Sequence, residues 1–197
     1  MNQSVILEDI QNLCEKYYGV RLKPEEISAI WEISQIRIFA KGDTICDMQE
    51  ELKYVGIVIH GIVRSYYIDM EGNEVTKFFS KEGYLIMDEA LLGYEKSHIC
   101  IEALEDATVL LMEVSKLKQL IKLNDTFKDF YIASLEMGLK YKIYREREFL
   151  SKNATERYLQ FCKVFPDLED RVKQSYIATY LGVAPESLSR IRKMIKE

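Results

Sequence analysis

The sequence predicts an α+β chain: a glycine-punctuated β domain, a long helix, and a small helical domain ending in a helix-turn-helix. Three observations carry that expectation. Between Ile36 and Val114, short β-branched and aromatic runs alternate with glycine, the pattern of many short strands joined by turns. From Ser115 to Ser151 no proline interrupts a composition rich in helix formers. From Gln174 to Ile195, apolar, small and glycine residues fall where two crossed helices must meet.

With 197 residues, 48% of them hydrophobic, the chain can bury a core and divide into two unequal domains. It has 30% charged residues, 3 prolines and no apolar run near the ~18 residues of a membrane span. Acids interrupt the opening stretch early, and it lacks the basic, apolar and small-residue order of an export signal. A cytoplasmic protein with no membrane partner is expected. Cys14, Cys46, Cys100 and Cys162 are scattered, form no CxxC pair and have only His60 and His98 to help them. They read as small core residues, so neither a metal site nor a cofactor is expected.

In chain order, residues 4–17 and 24–34 read as short helices, the second with Pro24 in its first turn and Glu25 and Glu26 at its positive end. Strands follow in the runs beginning at Ile36, Tyr54, Glu74, Tyr84, His98 and Thr108, enough for a small sandwich or barrel. The clearest hairpin spans Arg64 to Phe79, where Gly72 can take the left-handed turn conformation. Asn124-Asp125 separates a short helix from the long one. In the long helix Phe127, Tyr131, Leu135, Leu139, Ile143 and Leu150 trace one apolar row, and Phe130, Met137, Tyr141 and Tyr144 a second. A helix apolar on two sides must pack on its own domain and on something else; a symmetric copy is the expected partner, making a homodimer. Asn153 or Thr155 caps a further helix that Pro166 ends. The expected divisions are 1–123 for the β domain with its N-terminal helices, 124–151 for the dimerisation helix and 152–197 for the helix-turn-helix domain.

Within that last domain Ile177, Leu181, Val183, Leu188 and Ile191 occupy the inward positions, Ala178 is small enough for the second helix to approach, and Gly182 is free to turn. Pro185 and Glu186 open the second helix. Leu188, Ile191 and Ile195 are then expected to face inward, while Glu186, Ser189, Arg190 and Lys193 form an outward stripe able to enter a major groove. Arg190 can donate two hydrogen bonds to guanine, and Glu186 can accept one from cytosine. Ser175, Tyr176, Ser187 and Lys193 suit phosphates, Pro185 can touch a thymine methyl group, and Gln174 joins the DNA-facing set. Six basic residues against two acidic ones give residues 171–197 a charge of +4, leaving −9 on residues 1–170 out of the total of −5. A basic reader on an acidic body fits a double-stranded DNA partner. The plainer alternative is a surface helix whose Glu186 and Arg190 form an i, i+4 ion pair.

The order of segments, together with the C-terminal run from Arg171 to Ile195 and above all Ala184-Pro185-Glu186-Ser187-Leu188-Ser189-Arg190-Ile191, resembles the cyclic-AMP receptor (Crp/Fnr) family of transcription regulators, particularly its short members from Bacteroidetes-like bacteria. The resemblance implies a double-stranded β-helix (jelly roll) of the cyclic-nucleotide-binding type, a dimer formed along the long helix, Glu186 and Arg190 as base readers, a near-palindromic operator and RNA polymerase as a further partner. Two departures stand out. Met87 takes the place of a glycine in the family's phosphate cassette, Asp88 that of its glutamate, and Ser97 that of its arginine. Cyclic AMP is therefore not expected to be a tight ligand; Tyr66, Gly83, Asp88, Glu89, Ser97 and His98 are the candidate residues for an unknown small-molecule effector. The sequence also stops at Lys196-Glu197, without the full wing that follows the recognition helix in the family.

GxGxxG, GKS/T, GxSxG and HExxH motifs are absent, and two histidines on separate strands do not assemble the metal cluster of a cupin-like enzyme, so no enzymatic activity is expected. The remaining alternative is a sensor or dimerisation module acting through a protein partner without touching DNA, which gives the outward stripe no purpose.

Overall fold

A computed structural model describes residues 3–196; Met1, Asn2 and Glu197, which enter the expectations for the two ends of the chain, lie outside the described residues. The chain divides into two compact units, one built from residues up to Ser65 with Phe79–Met137, the other from Tyr66–Phe78 with the residues from Gly138 onward.

The first unit is α+β. Helix α1 (Gln3–Leu13) runs into a π-helical turn (Cys14–Tyr18) and is followed by α2 (Pro24–Glu32), with Pro24 in the first turn. Then come β1 (Ser34–Phe39), β2 (Thr44–Cys46), β3 (Tyr54–His60), β4 (Val63–Ile68), β5 (Glu74–Ser80), β6 (Leu85–Ile86), a 3-10 turn (Asp88–Ala90), β7 (Cys100–Ala103) and β8 (Ala107–Glu113). They form two four-stranded sheets in the orders β1-β8-β3-β6 and β2-β7-β4-β5, a jelly-roll-like arrangement. Helix α3 (Val114–Leu123) and the first turns of α4 (Asp125–Ser151) complete the unit.

The apolar runs of β3 and β8 have a specific cause. Val58 and Val109 point into the cluster enclosed by the sheets, with Phe39, Cys46, Val63 and Ile101. Their neighbours Ile57, Ile59, Leu110 and Met112 point the other way, into a second cluster shared with Ile6, Ile10, Leu117, Phe127 and Phe130 of the helices. A strand covered on both faces has no need of polar alternation, so these two read as continuous hydrophobic runs. Burial also pushes the Cys14 thiol up to about 12 and Cys46 up to about 11, which keeps both protonated as small core groups. Arg64 is one of the polar residues of this interior: it is fully buried, and its Nε donates to Glu102 Oε1 at 2.7 Å across the neighbouring strands.

The second unit contains the hairpin tip 66–78, the later turns of α4, and α5 (Ala154–Val164), α6 (Leu168–Arg171), α7 (Gln174–Leu181) and α8 (Pro185–Lys196). Asn153 caps α5 in a closed box: its side chain accepts from Glu156 N at 3.0 Å, and Glu156 accepts from Asn153 N at 2.9 Å. Tyr158, Phe161, Phe165, Ile177, Tyr180, Leu181, Leu188 and Ile191 are buried. Within this unit the Phe78 ring lies 4.6 Å from that of Tyr141, and Thr76 and Thr179 share a 2.9 Å hydroxyl hydrogen bond. Ile195, expected inward, is 41% exposed. The packing that buries Leu188 and Ile191 does not extend to the last turn of α8, so the helical period alone does not decide what is covered there. No described helix is long and apolar enough to cross a membrane.

Removing a carboxylate that contacts a buried guanidinium at 2.7 Å weakens the compensation of its charge. Glu102→Ala is expected to lower stability by about 3 kcal/mol, read as a reduced urea midpoint with an unchanged transition slope.

Candidate nucleic-acid interface and effector site

The pair α7–α8 is held by its own backbone before any side chain is considered. Gly182, at φ +66°, ends α7; its N–H donates to Thr179 O at 3.1 Å and that of Val183 to Ala178 O at 3.0 Å. The αL conformation turns the chain, and the returning N–H groups satisfy carbonyls that the helix leaves open. Ala184 O then accepts from both Ser187 N and Leu188 N, opening α8.

Beneath this turn Ile177, Ala178, Leu181, Leu188 and Ile191 are buried, and Val183 is half-buried. On the other side Gln174, Ser175, Pro185, Glu186, Ser189, Arg190 and Lys193 are exposed, while Tyr176 and Ser187 are half-buried. Arg190 Nε points to the Glu186 backbone carbonyl at 3.4 Å rather than to its carboxylate. Arg192, counted among the basic residues of the segment, is committed to Glu169 at 2.6 Å, a carboxylate that also accepts from Tyr158 OH at 2.7 Å. That knot ties α8 to α5 and α6, and Arg192 is distinct from the outward stripe.

The candidate effector residues fall in both units. Tyr66 belongs to the second unit, the other five to the first. Gly83, at φ +86°, is buried in the β5–β6 turn; its carbonyl accepts from Tyr18 OH at 2.8 Å, and a Cβ on it would overlap the Tyr17 ring. Met87 has φ 58° and ψ 25°, the left-handed conformation that a glycine adopts without strain. The backbone at this position thus has a glycine-like shape although the residue is methionine. Asp88 is exposed. Ser97 is 1% exposed, and its hydroxyl donates to Ile99 O at 2.7 Å and accepts from Ile99 N. It closes a loop and presents nothing outward. Glu89 and His98 do come together, Oε2 and Nδ1 lying 3.7 Å apart, with the Tyr94 ring edge-on to the imidazole at 4.9 Å.

A cavity of about 290 Å³ in the first unit is lined by none of these six residues. Phe39, Cys46, Met87 and Leu111 form its apolar part, and Arg37 and Lys53 are among its polar lining. No motif marks it, because its walls come from separate strands and from the loop before β3. Among the described residues, no group of three or more His, Cys, Asp or Glu is arranged to hold a metal ion.

This β-roll is of a known class: residues 36–124 match the cyclic nucleotide-binding domain family. The chain as a whole has the fold of the Crp/Fnr regulators. It is similar to FixK2 of Bradyrhizobium japonicum, with a TM-score of 0.72 and 21% identity over 83% of this chain and 85% of that one. It is likewise similar to CLP of Xanthomonas campestris, described as a global regulator responsive to c-di-GMP, with a TM-score of 0.72 and 14% identity over 86% of this chain and 90% of that one. A regulator of the Crp/Fnr family from Eubacterium rectale aligns with a TM-score of 0.72 and 16% identity over 89% and 84% of the two chains. No curated protein sequence matches the chain.

Proposed function

We propose that this chain is a dimeric, sequence-specific DNA-binding transcription regulator of the Crp/Fnr type, with α7 and α8 as its helix-turn-helix. The observation that carries this reading is the exposed stripe Glu186, Ser189, Arg190 and Lys193 on α8, directly opposite the buried Leu188 and Ile191. A rigid rod with one apolar side anchored and one polar side free is what major-groove recognition needs. Arg190 reads guanine through O6 and N7, Glu186 accepts from cytosine N4, and Gln174, Ser175, Tyr176, Ser187 and Lys193 hold phosphates, with Pro185 against a thymine methyl group. RNA polymerase is the further partner this role calls for, in the cytoplasm.

Dimerisation through α4 is supported by a row that the protein itself leaves uncovered. Ile132 is 50% exposed, Leu135 42%, Leu139 60%, Ile143 58% and Leu150 80%. At helical spacing these make one apolar edge, and a second copy of the helix covers it symmetrically, placing two recognition helices about 34 Å apart on a near-palindromic site. Cyclic AMP is not the effector: Ser97 replaces the arginine expected to meet a cyclic phosphate, and its hydroxyl is engaged with Ile99. A phosphate beside Asp88 and Glu89 would lack the arginine that the family's cassette supplies.

Three experiments test the reading. Selection of binding duplexes from random sequence should yield a near-palindromic site, and Arg190→Ala should weaken that site by about ten- to a hundredfold while affinity for unrelated DNA is largely kept; equal loss on both would remove the base contact. Leu139→Asp with Ile143→Asp should convert a dimer to a monomer in sedimentation, since two charges would then face two charges across the contact. Calorimetric titration with cyclic AMP should show no saturable heat in the micromolar range, and a micromolar or tighter dissociation constant would overturn the assignment of the pocket.

A further inference from the structure

The end of α7 creates a problem that its own turn only partly solves. The carbonyls of Tyr180 and Leu181 stand at the negative end of the helix dipole, next to the turn that leads into α8. Two arginines from outside the helix pair reach them. Arg145 of α4 donates from Nη2 to Tyr180 O at 2.5 Å, and Arg157 of α5 donates from Nε to Leu181 O at 3.1 Å. Arg157 Nη1 also donates to Lys152 O at 2.8 Å, just past the end of α4.

Between the two guanidiniums lies Phe149. Its ring centroid is 4.6 Å from Arg145 Cζ and 4.9 Å from Arg157 Cζ, and Arg145 Cζ is also 3.8 Å from the centroid of Tyr180. The same ring occupies the space beside Gly182 that a Cβ would need, its Cε1 standing 2.7 Å from the position of that atom. Planar guanidiniums suit this arrangement, since their edges donate while their faces stack. Tyr141 OH adds a 3.3 Å contact to Tyr180 OH.

We propose that Arg145, Phe149 and Arg157 form a clamp that fixes the angle of the α7–α8 turn, so that they are positioning residues for DNA recognition without touching DNA. The inference rests on the DNA-binding reading above. The apolar underside and the Arg192–Glu169 pair anchor α8 but leave the α7 end of the turn free to rock; charge-assisted hydrogen bonds there remove that freedom. Loss of the clamp therefore degrades discrimination between sequences more than it degrades charge-driven contact with any duplex.

The test uses the full chain as wild type, Phe149→Leu, Arg145→Gln and the conservative Phe149→Tyr. Anisotropy titrations compare a duplex selected by the wild type with a scrambled duplex, circular dichroism melts check folding, and amide exchange without DNA follows Gly182 and Val183. The selected-to-scrambled affinity ratio should fall about tenfold in Phe149→Leu and Arg145→Gln, given the strength of stacked, charge-assisted contacts, with faster exchange at both amides. Phe149→Tyr, which keeps the ring, should restore both readouts. Unchanged ratios and unchanged exchange in folded Phe149→Leu and Arg145→Gln would overturn the clamp; if one variant fails to fold, the other decides. A wild type that does not discriminate duplexes would instead refute the DNA-binding reading, and the exchange arm would still decide for or against the clamp.

Discussion

Where α8 points is constrained by what happens to the last carbonyls of α7. A helix terminus leaves such groups without intrahelical partners, and here the turn N–H groups of Gly182 and Val183 take those of Thr179 and Ala178 while Arg145 and Arg157 take those of Tyr180 and Leu181. Each partner adds a direction as well as a hydrogen bond. The αL turn sets the path into α8, the apolar underside of Ile177, Leu188 and Ile191 sets the spacing, and the arginines oppose rotation about that underside. The outward stripe is a consequence of these three constraints acting together.

The first unit meets a different demand, burying strands on both faces. The inner face of each sheet fills the roll, and the outer face of β3 and β8 is covered by α1, α2, α3 and the start of α4. The helical layer is thus part of the core of this unit. The burial of Arg64 against Glu102 belongs to the same architecture: a guanidinium in a closed interior needs a carboxylate close by, and the adjacent strand supplies it at 2.7 Å.

The turn at Met87 shows a glycine-like backbone held by a residue with a side chain. Met87 keeps the left-handed backbone of a glycine position, at a cost of about 1–2 kcal/mol for a residue with a Cβ, and lies 8% exposed among Phe39, Cys46 and Leu111. Its burial offsets that strain. The Ser97 hydroxyl donates to the backbone of Ile99, and Glu89 lies beside His98. Packing in the core cluster accompanies this turn geometry.

Much of this was legible in the residues themselves. The strand runs, a cap at Asn153 or Thr155, Pro24 in its first turn, and the pattern of Ile177, Ala178, Leu181, Gly182, Leu188 and Ile191 depend on local backbone preferences and on periodicity, which neighbours along the chain determine. What distant segments contribute was not legible. Arg64 as a buried cation, Arg192 spent on Glu169 and Phe149 wedged beside Gly182 all depend on partners 23 to 38 residues away meeting in space. The helical period marks which side of α8 is apolar and says nothing of where its cover ends, so Ile195 emerged 41% exposed. Local rules specify the elements because they act within a turn or a strand; the fate of each polar side chain waits for the tertiary structure, because only there is it settled which group displaces its water.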